Sequence, residues 1–220
     1  MTEVWLRHTL LDELGVRHGF GTRSAPALPD VVRPQQVHGA VVCGVTRAGD
    51  PQPPAADAIV ATAPSVSVGV ITADCVPILA ATADGRAVAA IHAGWRGLAA
   101  GVVERGLRRL SALSPDASLC AVVGPHIGSC CYEVDAPVLD ALRGRFGDEA
   151  LSRATSRSRP GHAMLALGRL IRGEFAALGM PTVTEGRVAG CTRCDARRFH
   201  SYRRDGARAG RLLHHVRPCA

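Results

Sequence analysis

The chain contains no lysine, because all 26 of its basic residues are arginine. A Schiff-base lysine and the phosphate-binding lysine of a Walker-type loop are therefore both excluded. Asparagine is absent as well, which excludes N-glycosylation sequons and a Cys-His-Asn catalytic triad. We attribute the bias toward arginine, alanine, proline and glycine to the base composition of the genome rather than to function.

Aromatic residues make up only 4% of the chain, so valine, alanine and leucine must fill most of the core. No run of eighteen apolar residues is present, which argues against a membrane-spanning helix. The first residues lack the basic and apolar segments of a secretory signal, so we expect a cytoplasmic protein. A length of 220 residues predicts a single domain over 1–220.

The formal net charge of +7 raises the question of a nucleic-acid partner. The arginines are scattered, however, except for a cluster between positions 193 and 211. Scattered arginines usually cover a solvated surface, and a basic pocket for a small anion fits the same composition. We therefore expect no nucleic-acid partner and no membrane partner.

The order of the predicted elements favours an α+β fold. Apolar and β-branched runs predict buried strands over 58–61, 66–72, 76–82, 87–92 and 119–123. Helical spacing predicts helices over 98–113, 134–146 and 164–178, and a short strand is expected at 183–184. Hairpins join adjacent strands, which argues against a parallel doubly wound sheet. The arginine-rich segment 186–220 gives no clear structural prediction.

A cysteine and a histidine belong to one predicted hairpin. Cys75 lies beside its first strand, His92 ends its second strand, and the Asp84-Gly85 turn signal lies roughly midway. The two side chains are therefore expected to be near cross-strand neighbours. Spacing alone leaves three interpretations open: a metal site, a Cys–His nucleophile pair, or a buried cysteine beside a hydrogen-bonded core histidine.

A second histidine, His38, ends the short apolar segment 36–38. Two histidines and one cysteine form a ligand set that suits catalytic zinc, with a fourth position left for water or substrate. Zinc would hold Cys75 as a thiolate and lower the pKa of its bound water.

Several short motifs occur in order along the chain. They are QVHG at 36–39, TADCVP at 72–77, HAGWRG at 92–97, GPHIG at 124–128, CT at 191–192 and FHSYRRDG at 199–206. Together these motifs resemble the YfiH/laccase-domain family, whose members are also called polyphenol oxidases or purine nucleoside phosphorylases. The resemblance runs from about Gly19 to Arg211, which is nearly the whole chain.

The resemblance implies a fold, a metal and an activity. The family fold is an α/β/β/α-type sandwich related to the deamidase domain of bacterial cytotoxic necrotizing factor. The family metal is usually zinc, bound at the positions of His38, Cys75 and His92. The family activities are phosphorolysis of purine nucleosides (adenosine, inosine, guanosine and methylthioadenosine) and deamination of adenosine. The implied ligands are thus a purine nucleoside and phosphate, and we expect a monomer.

Four further residues are candidates for roles in such a site. Arg23 matches the family's Thr-Arg position, where its planar guanidinium suits phosphate; the alternative is a surface arginine. Asp74 adjoins the ligand cysteine and is either a proton shuttle or a buried structural hydrogen-bond acceptor. His126, in the GPHIG turn, either orients substrate or phosphate or hydrogen-bonds to the backbone. Tyr132 either stacks on a base or packs in the core.

One departure from the family pattern concerns the entrance of the pocket. Family members usually carry a Gly-Gly-x-Ser loop and an Asn-Leu-Gly segment between the Thr-Arg motif and QVHG, and both are absent here. The entrance side is therefore expected to be trimmed, which leaves the substrate range open.

Three other functions compete with phosphorolysis. Copper-dependent phenol oxidation is one, although blue-copper sites favour an axial methionine and Met1, Met164 and Met180 lie far from the motifs. A cysteine amidase with a Cys75–His92 dyad, editing peptidoglycan precursors, is another. The third is a partner-binding protein whose ligand set is structural.

The chain has eight cysteines, which we expect to be reduced thiols. Cys120 lies in an apolar run and is expected in the core, and Cys43 and Cys219 have no chemically relevant neighbours in the sequence. The Cys-x-x-Cys at 191–194 suggests a zinc ribbon with the pair at 130–131, but a ribbon prefers a second Cys-x-x-Cys. We therefore expect no second metal.

Overall fold

A computed structural model describes residues 3–47, 50, 55–180 and 188–220 of the chain. The strands in these ranges are β1 (Trp5–Leu6), β2 (Arg17–Gly21), β3 (Val31–Val32), β4 (Val42–Val45), β5 (Ala58–Ala61), β6 (Ser67–Thr72), β7 (Val76–Thr82), β8 (Val88–Ala93), β9 (Leu119–Val123), β10 (Glu133–Asp135), β11 (Thr155–Arg157), β12 (His162–Leu165) and β13 (Leu212–Arg217). The α-helices are α1 (Thr9–Glu13), α2 (Trp95–Ala99), α3 (Val102–Ser111), α4 (Ala136–Ala154), α5 (Leu167–Ala177) and α6 (Tyr202–Asp205).

Most strands belong to two five-stranded sheets. The first sheet has the order β1-β2-β13-β6-β3, and the second has the order β4-β5-β8-β7-β9. Their pairings are antiparallel except for β3 with β6 and β4 with β5. A smaller sheet, β10-β12-β11, lies beside α4.

The two large sheets pack face to face, and most of their inner side chains are fully buried. Phe20 of the first sheet and Leu79 of the second belong to the apolar layer between them. On the outer side of the second sheet, Leu107 of α3 and Ile171 of α5 form another apolar layer with the strands. Burying each such side chain stabilises the fold by about 1.5–3 kcal/mol. This arrangement of mainly antiparallel mixed sheets and separate helices confirms the predicted α+β class.

The predicted hairpin is confirmed as β7 and β8. Thr82 donates a hydrogen bond from its hydroxyl to Asp84 (2.6 Å), and Gly85 adopts a positive φ of 70° that closes the turn. The register pairs Pro77 with His92. The turn residues therefore fix which β8 side chain lies beside the start of β7.

The predicted helices differ from the observed ones at two glycines and at one residue that lies in a strand. The helix expected over 98–113 is two helices, because Gly101 has a φ of 82° and separates α2 from α3. The helix expected over 134–146 starts at Ala136 and continues past a break at Gly147 to residue 154. Met164, expected in a helix, lies in β12. Among the described residues, no helix has the length and apolar character needed to cross a membrane.

The C-terminal segment, which gave no structural prediction, contributes a central strand of the first sheet. β13 pairs with both β2 and β6. Its buried residues alternate along Leu212, His214 and Val216, a period of two that is typical of a half-buried strand. The arginines around it hide this signal in the sequence. The short strand expected at 183–184 lies outside the described residues.

Candidate metal centre

Three segments meet where the chain crosses from the first sheet to the second. After β6 the chain turns through residues 73–75 into β7, and Cys75 ends this turn. His92 lies on β8, next to β7. His38 comes from the loop between β3 and β4 and adopts a positive φ of 60°. The crossing thus gathers side chains that are up to 54 positions apart in the sequence.

The ligand atoms of His38, Cys75 and His92 all lie within 4.8 Å of one another. The Cys75 Sγ is 3.8 Å from His38 Nε2, and the two imidazole rings are nearly perpendicular, at 82°. Tetrahedral zinc, with bonds of about 2.3 Å to sulfur and 2.0–2.1 Å to nitrogen, sets sulfur and nitrogen ligands about 3.6 Å apart. The donor set and its spacing therefore fit a zinc ion with three protein ligands.

Asp57, which is fully buried, supports two of these three residues, His92 through its ring and His38 through its backbone. Its carboxylate accepts a hydrogen bond from Nδ1 of His92 (2.7 Å), which leaves Nε2 free to face the cluster. It also accepts bonds from the backbone N–H groups of His38 (2.9 Å) and Gly39 (2.7 Å). Burial disfavours the Asp57 carboxylate, but the hydrogen bonds from His92 and Gly39 prevail and lower its pKa. Asp57 was not among the residues predicted from the sequence; the signal that it leaves there is a carboxylate directly before an apolar strand.

The cluster also favours the metal-binding form of its cysteine. Burial opposes ionisation of Cys75, yet hydrogen bonds with His38 and His92 outweigh it and lower the thiol pKa to about 7. Burial likewise opposes a charge on His92, but the bond to Asp57 and the Cys75 sulfur raise its pKa to about 9. A thiolate is therefore accessible near neutral pH, and a metal would displace the imidazole proton.

The cluster lies in the wall of a pocket of about 430 Å³, a volume typical of small-ligand sites. Both tyrosines of the chain line this pocket, and two arginines do so as well. Besides these three side chains, the wall includes Ile71, Tyr132, Tyr202, Arg203 and Arg211. The pocket thus combines aromatic surface, positive charge and the three ligand side chains.

Two predicted site residues lie outside this wall. Arg23 lines an adjoining pocket, where its guanidinium donates to the carbonyl of Ala196 (3.1 Å). The two pockets share Arg211. The ring Nδ1 of His126 is 2.9 Å from the carbonyl oxygen of Gly124, as in the backbone-bonded alternative. The roles predicted for Arg23 and His126 stay predictions.

Asp74 does line the pocket, and its carboxylate is held by two donors. It accepts a hydrogen bond from the hydroxyl of Thr192 (2.5 Å) and one from the backbone N–H of Arg203 (2.6 Å). Its own backbone adopts a positive φ of 98°, which lets consecutive residues 74 and 75 both take part in the site. These contacts favour the structural alternative over the proton shuttle.

A second group of ligand side chains is found where sequence analysis expected none. Cys130, Cys131, Cys191 and Cys194 have sulfur atoms that all lie within 4.8 Å of one another. The sequence predicted no second metal, because Cys130 and Cys131 are adjacent and a zinc ribbon prefers a second Cys-x-x-Cys. The turn at 128–131 and the bridge between residues 126 and 191 nevertheless bring the four sulfur atoms together.

The motif order and this geometry agree with the similarity of the chain to known proteins. Residues 21–217 match the model of the family described as multi-copper polyphenol oxidoreductase laccase. The chain belongs to this family. The YfiH/laccase-domain resemblance seen in the sequence is therefore confirmed.

Relatives in this family carry enzyme names. A Pseudomonas aeruginosa protein named purine nucleoside phosphorylase is 40% identical over 177 residues, which cover 80% of this chain and 69% of the relative. A protein from an unknown prokaryotic organism, named adenosine deaminase RL5, is 33% identical over 199 residues, covering 84% of this chain and 74% of its own.

The fold is shared with solved structures of the same kind. The crystal structure of YlmD from Geobacillus stearothermophilus superposes with a TM-score of 0.85 at 26% identity. The match covers all of this chain, 100%, and 98% of that one.

Proposed function

We propose that the chain is a zinc-dependent purine nucleoside phosphorylase, which uses phosphate to release the free base from adenosine, inosine, guanosine or methylthioadenosine. The observation that carries the proposal is the convergence of three ligand side chains on a pocket that two arginines also line. The enzyme names of the relatives support the reaction class.

His38, Cys75 and His92 would hold the metal. Three protein ligands leave a coordination position open to the pocket, as in catalytic rather than structural zinc sites. When bound, zinc supplies a positive charge that polarises a ligand atom or lowers the pKa of a water. Asp57 keeps the His92 ring in the tautomer that presents Nε2.

Phosphorolysis requires phosphate to be held against the sugar. A phosphate oxygen forms a bond to C1′ of the ribose while the bond from C1′ to the purine nitrogen breaks. The bonding electron pair leaves with the base, which then takes up a proton. A guanidinium fork binds phosphate with two parallel hydrogen bonds, so we assign this role to Arg203 and Arg211.

Arg203 is fixed at both of its ends. Its backbone N–H bonds to Asp74, and its guanidinium donates to the carbonyl of Glu133 (2.9 Å). The same guanidinium lies 5.3 Å from the centre of the Tyr132 ring. This places a cation beside an aromatic face, and a purine stacked on either tyrosine of the wall would lie next to the phosphate site.

Product analysis tests the proposal. The zinc-loaded protein is incubated with adenosine or inosine, with and without phosphate, and the products are separated by chromatography. Phosphate-dependent release of adenine or hypoxanthine together with ribose 1-phosphate is the expected result. The Cys219→Ser variant, which alters a cysteine outside both groups of ligand side chains, serves as the matched control for Cys75→Ser.

Deamination of adenosine is the second candidate, favoured by the relative named adenosine deaminase. It predicts inosine from adenosine without any need for phosphate. Copper-dependent phenol oxidation, which the family description implies, predicts stoichiometric copper and phenol turnover in protein purified without added metal. Finding either result in place of phosphate-dependent base release contradicts the proposed phosphorylase.

A further inference from the structure

We propose that Cys130, Cys131, Cys191 and Cys194 form a second metal site, a closed four-thiolate site for zinc. It is distinct from the cluster of His38, Cys75 and His92, and it would join the two loops that carry one side of the pocket. We call these four residues the four-cysteine cluster.

The sulfur geometry suits a metal better than a disulfide. The Cys194 Sγ is 3.3 Å from that of Cys131 and 3.6 Å from that of Cys130. Four sulfurs at about 2.3 Å from a central zinc lie about 3.8 Å apart, close to these values. A disulfide needs about 2.05 Å and pairs only two sulfurs, whereas here all four converge.

The backbone is arranged to bring the two pairs together. The carbonyl of Gly128 accepts the N–H of Cys131 (2.9 Å), which forms the turn before the first pair. Residues 126 and 191 form a parallel bridge, in which the Thr192 N–H bonds to the carbonyl of His126 (3.0 Å). The bridge fixes the Cys-x-x-Cys turn against the first loop before any ion is considered.

The surroundings of the cluster also match a thiolate site. The backbone N–H of Gly128 donates to the sulfur of Cys191 (3.2 Å), a contact that favours a negatively charged sulfur. Arg193, which lies between Cys191 and Cys194 in the sequence, interacts electrostatically with Cys131, Cys191 and Cys194. Zinc with four thiolates carries a net charge of 2−, and this arginine offsets part of it.

The location indicates what the ion would do. The first loop carries Tyr132, and the second carries Thr192 and leads to Arg203, all of which contact the pocket or Asp74. Four protein ligands leave no open position, so the site is structural rather than catalytic. The bound ion would hold the two loops together and contribute directly to the stability of this wall.

Zinc content measured by mass spectrometry on full-length variants tests the proposal. Wild type and Cys219→Ser are each expected to hold two zinc ions per chain. His38→Ala/His92→Ala and Cys130→Ser/Cys194→Ser are each expected to hold one. If Cys130→Ser/Cys194→Ser holds as much zinc as wild type, or if the cluster holds iron instead, the proposal is overturned.

The pattern of zinc contents distinguishes failure of this proposal from failure of the proposed function. If only the catalytic site fails to bind, wild type and His38→Ala/His92→Ala each hold one zinc and the four-cysteine cluster stands. If only the four-cysteine cluster fails, His38→Ala/His92→Ala holds none.

Two measurements keep the test valid if a variant misfolds. In His38→Ala/His92→Ala, a chelator is expected to lower the melting temperature and to expose the four sulfurs to alkylation together. In freshly purified wild type, peptide mapping without reductant is expected to show no disulfide within the cluster. A Cys131–Cys194 disulfide in protein without zinc there would identify a redox pair and overturn the proposal.

Discussion

The two groups of ligand side chains differ in the number of ligands they offer and in what supports them. The cluster of His38, Cys75 and His92, which we call the catalytic cluster after its proposed role, offers three ligands, faces the pocket and is supported by the buried carboxylate of Asp57. The four-cysteine cluster has four ligands, of which Cys130 and Cys194 are exposed, and is supported by a backbone N–H. An open set suits chemistry on a ligand, and a closed set suits a cross-link.

The difference also separates two ways of building a site. In the first, the sheets themselves place the ligands, because the turn between β6 and β7 crosses from one sheet to the other. In the second, two loops are paired by a single bridge at residues 126 and 191. We therefore expect the catalytic cluster to be largely formed before metal binds, and the two bridged loops of the second cluster to gain more stability from their ion.

Removing a ligand of the catalytic cluster is the largest expected effect and the strongest test of this contrast. Cys75→Ser is expected to lower the rate of phosphorolysis at least about 100-fold, because a bound metal supplies several kcal/mol of transition-state stabilisation. The melting temperature should change little. The measurement is base release under saturating nucleoside and phosphate, with Cys219→Ser as control. Near-normal turnover by Cys75→Ser would place the chemistry elsewhere.

Neutralising the buried carboxylate behind the ligands comes next. Asp57→Asn is expected to weaken zinc binding at the catalytic cluster by about 10- to 100-fold, because the amide no longer fixes His92 as a carboxylate does. Competition with a chromogenic chelator measures the affinity. Asp116→Asn, at an exposed position, is the matched control. If both variants bind zinc alike, the assigned role of Asp57 is wrong.

Removing the arginines of the pocket has a smaller expected effect, which tests whether Arg203 and Arg211 or Arg23 bind phosphate. Arg203→Ala and Arg211→Ala are each expected to raise the KM for phosphate about tenfold or more, since a hydrogen bond to a charged group contributes about 1.5–3 kcal/mol. Arg23→Ala, in the adjoining pocket, is expected to have a smaller effect. A larger effect for Arg23→Ala would support the sequence-based choice over the structural one.

The contrast between the two clusters explains what the sequence reveals. The convergence of His38, Cys75 and His92 was predictable because these residues lie in motifs and a hairpin turn aligns two of them. Asp57 was not predicted, because its partners are the ring of His92 and backbone N–H groups of a distant loop, and such contacts leave no periodicity in the sequence. The four cysteines were considered as a zinc ribbon and set aside on their spacing, because their convergence depends on the bridge between residues 126 and 191, a non-local pairing that spacing does not show.

The same reasoning covers the fold. Buried strands such as β5 and β7 show as apolar runs of the right length. The predicted helix boundaries were wrong where a glycine adopts a positive φ, as at Gly101, because the helical spacing of apolar residues continues across it. Strand β13 was not predicted, because its arginine-rich surroundings conceal three alternating buried residues.

The smallest expected effect comes from one methyl group beside the four-cysteine cluster. A Cβ at Gly128 would lie 3.3 Å from the sulfur of Cys130 and 3.3 Å from Cβ of Cys191, so the two pairs must shift by a few tenths of an ångström. Gly128→Ala is therefore expected to weaken zinc binding there several-fold while zinc at the catalytic cluster is retained. Chelator competition in the His38→Ala/His92→Ala background isolates this effect.

Gly144→Ala is the matched control, because a Cβ at that exposed position in α4 meets nothing within 4 Å. Alanine there is expected to leave zinc binding unchanged and to stabilise the helix by about 0.5–1 kcal/mol. If Gly128→Ala and Gly144→Ala bind zinc equally well, the loops at residues 128 and 191 are free to move apart. The close approach of the two cysteine pairs would then not determine the site, and the contrast drawn between a sheet-built and a loop-built cluster would lose its basis.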